Sequence, residues 1–418
     1  MFVYQVLNLK TTFLNLSYFI AKRISFKQAG GFSGTIHQIA VGSLALGLGV
    51  SILAFMVLGG FQDTVSERVF GFTGHYQVQR FQMSNAFEEA PFSVNSDFAK
   101  NSRKLDFLTR TQSFAHKAAL LKGDQEVVGV LMKGVGRDFD TLAFSQYLVD
   151  GRMINLPDSG VSNEIMLSRL IANKLTLEVG DKVTMYFVQN PPRFRRVEVV
   201  GIFETYLENF DEKIVVGELQ TIRNLNGWAA DQIGGLEVFV DNPKKTYAYF
   251  PLIEDQLDLD LKLIDSRDRF MEIFDWLTLL DTNVVVFISL IGFVAIFNMG
   301  AVLFILIMER TQMIGLLKAM GARNSQIRKI FFWNGMKILG RGLILGNVIG
   351  IGIGFLQDQF RLVPLDAASY YMSYVPIEWN WPVFIWLNVG IALLTTVVLW
   401  IPVMVISRVD PIKSIRFD

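Results

Sequence analysis

Four stretches of this chain contain no Asp, Glu, Lys or Arg: Gln28 to Gln62, Thr282 to Met308, Gly342 to Gln357 and Trp379 to Ser407. A segment that crosses lipid needs about 20 mostly apolar residues and must satisfy its backbone hydrogen bonds internally. Each stretch is therefore a candidate membrane helix, the third extended upstream past Arg341, whose long side chain can snorkel to the headgroups. Together the four hold 107 of the 418 residues, so the 78 charged side chains fall on the other 311. That is close to the ~25% charge of soluble proteins, and the chain reads as a membrane part joined to an ordinary globular part.

The expected fold is an α-helical membrane protein with four transmembrane helices and a large α+β domain inserted between helices 1 and 2. The segments are an N-terminus at 1–35, helix 1 at 36–60, the inserted domain at 61–281 and helix 2 at 282–308. A connector at 309–337, helix 3 at 338–357, a short loop at 358–381, helix 4 at 382–406 and a tail at 407–418 complete it. Orientation follows from Lys and Arg in the short flanks. Lys10, Lys22, Arg23 and Lys27 precede helix 1 with no acid among them, seven basic residues lie from Arg310 to Arg341, and three follow helix 4. The loop from Asp358 to Glu378 has only Arg361. Both termini and the connector are thus expected in the cytoplasm, and the inserted domain on the far side. Phe13 to Phe26, dense in apolar residues beside Lys22, Arg23 and Lys27, suits an interfacial amphipathic helix on the membrane lipids.

Composition excludes several functions. Lys plus Arg equals Asp plus Glu at 39 each, so no basic face is expected for nucleic acid. There is no Cys, hence no disulfide, thiolate metal site or cysteine nucleophile. His37, His75 and His116 are far apart in sequence and form no metal-ligand pair, so neither a metal site nor a catalytic set is expected. Glu88, Glu89, Asp258 and Asp260 read as solvated charges rather than an acid/base pair. No Gly-x4-Gly-Lys-Ser/Thr occurs, so the chain has no loop to cradle nucleotide phosphates.

Within the inserted domain, strand patterns fall at Val127 to Lys133, Lys182 to Phe187, Arg196 to Phe203, Lys213 to Val216 and Leu236 to Val240, and helical patterns at Met166 to Lys174 and Glu218 to Asn226. The amphipathic stretches Asp265 to Asp281 and Gln62 to Phe70 are expected to prolong helices 2 and 1 beyond the bilayer. In the connector, Ile314, Leu316, Leu317 and Met320 form an apolar stripe and Lys318 and Arg323 add charge. Gly321 suits a left-handed helix end before Asn324 or Ser325. The residues alone favour a basic connector held at the membrane surface by charge.

The order of parts resembles the permease subunits of the MacB, FtsX and LolC/LolE class of ABC systems. The likeness is carried by Gly151-Arg152, Asn163 to Ser168, Val179-Gly180-Asp181-Lys182-Val183 and Val199 to Phe203, by Glu309 to Arg323, and by the ending Asp410 to Arg416. It implies a MacB-like periplasmic domain in the bacterial inner membrane, and a coupling role for Glu309, Ile314, Gly315, Lys318, Met320, Gly321, Ala322 and Arg323. It also implies two copies of an ABC ATPase that bind ATP and Mg, a second permease subunit in a homo- or heterodimer, a lipoprotein substrate and a periplasmic carrier. This chain would itself be no enzyme.

The small residues of helix 1, Gly42, Ser43, Ala45, Gly47, Gly49 and Ser51, fit either a seam with another subunit or packing against a span of the same chain. The resemblance implies a substrate gate that includes Gly42, Gly49, Phe55, Met56, Phe287, Phe293 and Phe297. It also places carrier docking at the connection Val188 to Arg195, where Pro191, Pro192, Arg193 and Phe194 form a stiff tip with one apolar anchor. That connection is shorter than the family's extended loop, and a plain hairpin turn is the alternative.

Overall fold

The computed structural model describes residues 32–82, 88–102, 105–123, 126–157, 160–366 and 370–405. The expected interfacial helix, the tail at 407–418 and the Asp410 to Arg416 ending lie outside them. The chain divides into two units: Met1–Phe61 with Thr278–Val363 and Val375–Asp418, and Gln62–Leu277 with Pro364–Tyr374.

Four helices are long and apolar enough to cross a membrane: α1 (Phe32–Thr73), α5 (Met271–Glu309), α7 (Asn324–Phe360) and α8 (Trp381–Val405). α1 runs on past Gln62 to Thr73, and α5 begins at Met271, ahead of its charge-free run. The expected prolongation is therefore helical. Between α1 and α5 lie the strands of the inserted α+β domain, β1 (Tyr76–Arg80), β2 (Phe92–Ser93), β3 (Leu108–Lys122), β4 (Val127–Val135), β5 (Leu148–Gly151), β6 (Glu164–Ser168), β7 (Lys182–Phe187), β8 (Arg193–Phe203), β9 (Ile214–Glu218), β10 (Gln232–Ile233), β11 (Gly235–Val240) and β12 (Leu261–Asp265). The main sheet has the order β12-β1-β11-β3-β4-β9-β6-β8-β5, with β7 bridging β3 and β8. Helices α2 (Arg169–Leu175), α3 (Leu219–Asn226) and α4 (Thr246–Glu254) connect its strands. The core lies on one sheet face, where Val78, Ala119, Leu121, Met132, Val215 and Val238 meet Ile171 of α2 and Ile222 of α3.

One sequence pattern is corrected. Met166 is not helical: Ile165, Met166 and Leu167 are fully buried in β6, and a short continuous apolar run is the signature of a strand covered on both faces. The helix starts one residue after Ser168, whose Oγ accepts from the Ile171 N–H at 3.1 Å, a side-chain cap that satisfies an otherwise orphaned donor.

Candidate functional site

The connector after α5 folds as α6 (Thr311–Ala319), a tight turn, and the start of α7. Gly321, at φ +90°, takes the left-handed position that a Cβ disfavours. Its N–H reaches the Lys318 carbonyl at 3.0 Å, and the Ala322 N–H reaches that of Leu317 at 2.9 Å. Those two bonds are a Schellman closure, which satisfies the last carbonyls of α6. The Arg323 N–H is held by the Gln326 side-chain oxygen at 2.9 Å as α7 begins.

The apolar stripe of the connector divides in two. Ile314 and Gly315 are buried, and Ile314 packs with Ile307, Ile327 and Phe331 while Leu317 and Ala322 flank the cluster. Leu316 and Met320, 57% and 67% exposed, point away from it, with Gly321, Arg323 and Glu309 also exposed and Lys318 half-buried. Inward residues fix the tip, and outward ones present an uncovered apolar pair. Covering such a side chain is worth about 1.5–3 kcal/mol.

In the membrane unit, α7 turns a glycine toward α1 at every fourth residue: Gly342, Gly346, Gly350 and Gly354. A Cβ on Gly346 would meet the Ala45 carbonyl oxygen at 2.9 Å, one on Gly350 the Gly49 oxygen at 2.9 Å, and one on Gly354 would overlap the Met56 methyl. Small residues at this spacing allow helix backbones to touch where lipid offers no hydrophobic drive. Gly49 and the buried Met56 are thus committed to packing within the chain. Gly47 faces Ala295 of α5, and Gly42 faces open space. Phe287, Phe293 and Phe297 are exposed, the last two stacked at 6.4 Å, and Phe55 is half-buried. A cavity of about 410 Å³ opens among α1, α5 and α8, lined by Leu44, Gly47, Ile288, Phe293, Trp386 and Leu394. Between α7 and α8, Asn347 and Asn388 exchange amide hydrogen bonds at 2.7 and 3.0 Å. The α7 glycines were missed in the sequence, although their spacing of four inside a charge-free run was a readable signal.

In the inserted domain, Arg193 and Phe194 belong to strand β8 and not to a loop. Phe187 pairs with Arg193 and Tyr186 with Phe194, so the turn contracts to 188–192 and carries Pro191 and Pro192. Phe194 remains 71% exposed, its ring 6.0 Å from that of Tyr186.

Glu88 and Glu89 are not solvated charges. The Lys117 ammonium meets Glu88 at 2.8 Å, and Glu89 takes His116 Nδ1 at 2.6 Å and the His116 N–H at 2.9 Å. Burial works to raise the Glu89 carboxyl, but His116 outweighs it and holds the group below the usual range. On the His116 face of the sheet Lys133 and Glu237 form a buried ion pair at 2.7 Å. Burial raises the Glu237 carboxyl despite the Lys133 charge.

Two family models match: a MacB-like periplasmic core domain over residues 39–245 and an FtsX-like permease C-terminal domain over 285–411. The chain belongs to the FtsX/MacB permease superfamily. Curated relatives extend the likeness along nearly its whole length. A lipoprotein-releasing system transmembrane protein LolE from Haemophilus influenzae is 21% identical over 88% of this chain and 91% of its own. A LolC from Neisseria meningitidis is 20% identical over 94% and 96%. The periplasmic region of MacB from Actinobacillus actinomycetemcomitans aligns over 49% of this chain and 95% of that one at 12% identity, with a TM-score of 0.34. This is a multi-pass membrane permease, with its α+β domain between the first and second spans.

Proposed function

We propose that this permease extracts lipoproteins from the bacterial inner membrane and passes them to a periplasmic carrier, driven by a separate ATPase. The observation that carries the reading is its end-to-end likeness to relatives named for lipoprotein release, which covers 94% of this chain in one case. Two ATPase copies, each holding ATP and Mg, would seat at the α6 tip, with both termini on their side and the α+β domain in the periplasm. A second permease copy, identical or related, would complete the pair. The physical task fits an external energy source, because freeing an acyl chain from lipid costs about 0.8 kcal/mol per methylene.

The gate would lie at the exposed α5 aromatics and the cavity beside Phe293, since Gly49 and Met56 already pack against α7. The deciding experiment is reconstitution of the permease and its ATPase in liposomes loaded with a triacylated lipoprotein. ATP-dependent transfer to soluble carrier is expected. The FtsX-like C-terminal match supports a second reading, a mechanotransmitter that drives a periplasmic partner without moving lipoprotein. ATP hydrolysis that activates a bound hydrolase while lipoprotein stays in the bilayer would favour it.

A further inference from the structure

The inserted domain holds a cavity of about 520 Å³ that neither the gate nor the coupling tip uses. Small-molecule pockets span about 300–1,000 Å³, mostly apolar with a few convergent polar groups, and this one has that division along its length. Strand alternation puts His116, Ala118 and Leu120 of β3, Gly129, Leu131 and Lys133 of β4, and Glu237 of β11 on the sheet face opposite the main core. Leu120, Leu131, Phe210 and Ile214 line the apolar end. Gly129 leaves that end roomy, because a Cβ there would meet nothing closer than a Leu120 methyl at 3.8 Å.

The opposite end is charged, and its charges do not cancel. Glu237 is the only carboxylate among the described lining residues, and it is matched by Lys133 at 2.7 Å. Lys133 has three donors: one goes to Glu237 and one to the Phe72 carbonyl oxygen. Lys133 is 3% exposed and its ammonium also lies 4.6 Å from the centre of the Phe72 ring, which leaves one proton committed to no oxygen at the cavity wall. Arg269, exposed and lining the same end, gives one donor to the Gln77 side-chain oxygen, which leaves most of its five N–H groups for an acceptor. The surplus at this end is therefore positive, with donors suited to a carboxylate or phosphate.

We propose that this cavity binds a single-chain amphiphile with an anionic head, its tail over Leu120, Gly129 and Leu131 and its head between Lys133 and Arg269. An apolar slot alone would accept any greasy segment, and the cationic end selects the anion. The inference stands apart from the lipoprotein reading, since it uses neither the gate nor the coupling tip and needs no ATPase.

The test uses the full chain in lipid nanodiscs, exposed to photoactivatable dodecanoate or to the corresponding uncharged dodecanol, with labelled peptides mapped by mass spectrometry. Dodecanoate is expected to label the peptides around Leu120 to Leu131 and Asn209 to Ile214. Gly129→Trp, which fills the slot without touching the head site, should reduce that label at least tenfold. It should leave the label on the spans and the thermal midpoint unchanged. Arg269→Gln should weaken dodecanoate labelling about tenfold and leave dodecanol labelling as it was. The proposal is overturned by label confined to the spans, by domain label indifferent to Gly129→Trp, or by an Arg269→Gln effect equal for the acid and the alcohol. Failure of lipoprotein transfer with these labels intact would sink the proposed function and leave this site standing.

Discussion

The peptide N–H of Glu378 donates a 2.9 Å hydrogen bond to the carbonyl oxygen of Met56, so the loop before α8 is tied to the backbone of α1. The contact sits at the glycine pair Gly59–Gly60. A Cβ on Gly60 would stand 2.7 Å from the Pro376 carbonyl and 2.8 Å from the Ile377 nitrogen, both backbone atoms with no rotamer to move aside. Gly60→Ala is therefore expected to lift the loop and cost about 1–3 kcal/mol, the range for overpacking. Gly42→Ala, with open space at its Cβ, should be neutral or stabilising by about 0.5–1 kcal/mol through helix propensity. Thermal unfolding of the two variants in one detergent checks the contrast, and equal midpoints would deny the clasp.

The α6 tip separates residues that hold the element from residues that would meet a partner. Leu316→Glu with Met320→Glu changes only exposed positions, so the permease should insert and fold as before while ATPase co-purification drops at least tenfold. Ile314→Ala empties the cluster with Ile307 and Phe331 and should cost about 2–5 kcal/mol, loosening the tip itself. Gly321→Pro should break the Schellman closure, since proline cannot adopt its φ of +90°. Undiminished ATPase binding in the Leu316/Met320 variant would place the coupling surface elsewhere.

The paired carboxylates make a pH prediction with a definite sign. Glu89 titrates below its ordinary value of 4.5 in the folded protein. It therefore contributes stability that is fully present above about that pH and is lost as the pH falls through the folded value. Glu237 is displaced the other way and opposes this trend as the pH rises. The hydrogen-exchange protection of β3 and β4 in the full chain, referred to the intrinsic rate at each pH, should fall on acidification, and Glu89→Gln should flatten that response. Separately, Glu237→Gln should destabilise by about 3–5 kcal/mol by leaving the Lys133 charge uncompensated, whereas Lys133→Met with Glu237→Leu should be near neutral. If the single and double variants melt alike, the pair is not the energetic unit.

What could be read from the sequence depended on how local its signal was. The spans announced themselves, because lipid forbids charge over some 20 consecutive residues, and β4, β7, β8, β9 and β11 each carried a β-branched run. β3 was passed over because its Arg110, His116 and Lys117 look like a polar connection. Only the topology reveals that His116 and Lys117 are partnered by Glu89 and Glu88, nearly thirty residues upstream. The same distance in sequence hid the α1/α7 seam, where Gly49 meets Gly350 across some three hundred residues. Small residues signalled close packing, but they did not say against what.

The hairpin of β7 and β8 supports the last prediction. Phe194 is opposite Tyr186, and Tyr186 is opposite Leu120, so the three stand on one face of the sheet as a cross-strand row. All three are exposed, at 71%, 40% and 42%. Aromatic rows of this kind are worth about 0.2–1 kcal/mol per pair to the sheet, far less than full burial against a partner would return. A rigid strand also presents Phe194 at lower ordering cost than a free loop would. Arg193 and Arg195 flank it on the strand, which suits a carrier with an acidic rim. Phe194→Ala with Arg193→Glu should thus weaken carrier binding about tenfold or more, shared between a lost aromatic anchor and a reversed charge. ATP hydrolysis and lipoprotein binding should remain at parental levels. Surface plasmon resonance with immobilised permease separates the two terms: the charge change should act on the association rate and lessen at high salt, while Phe194→Ala alone should act on dissociation. Carrier transfer at the parental rate in the double variant would remove this face from the docking surface.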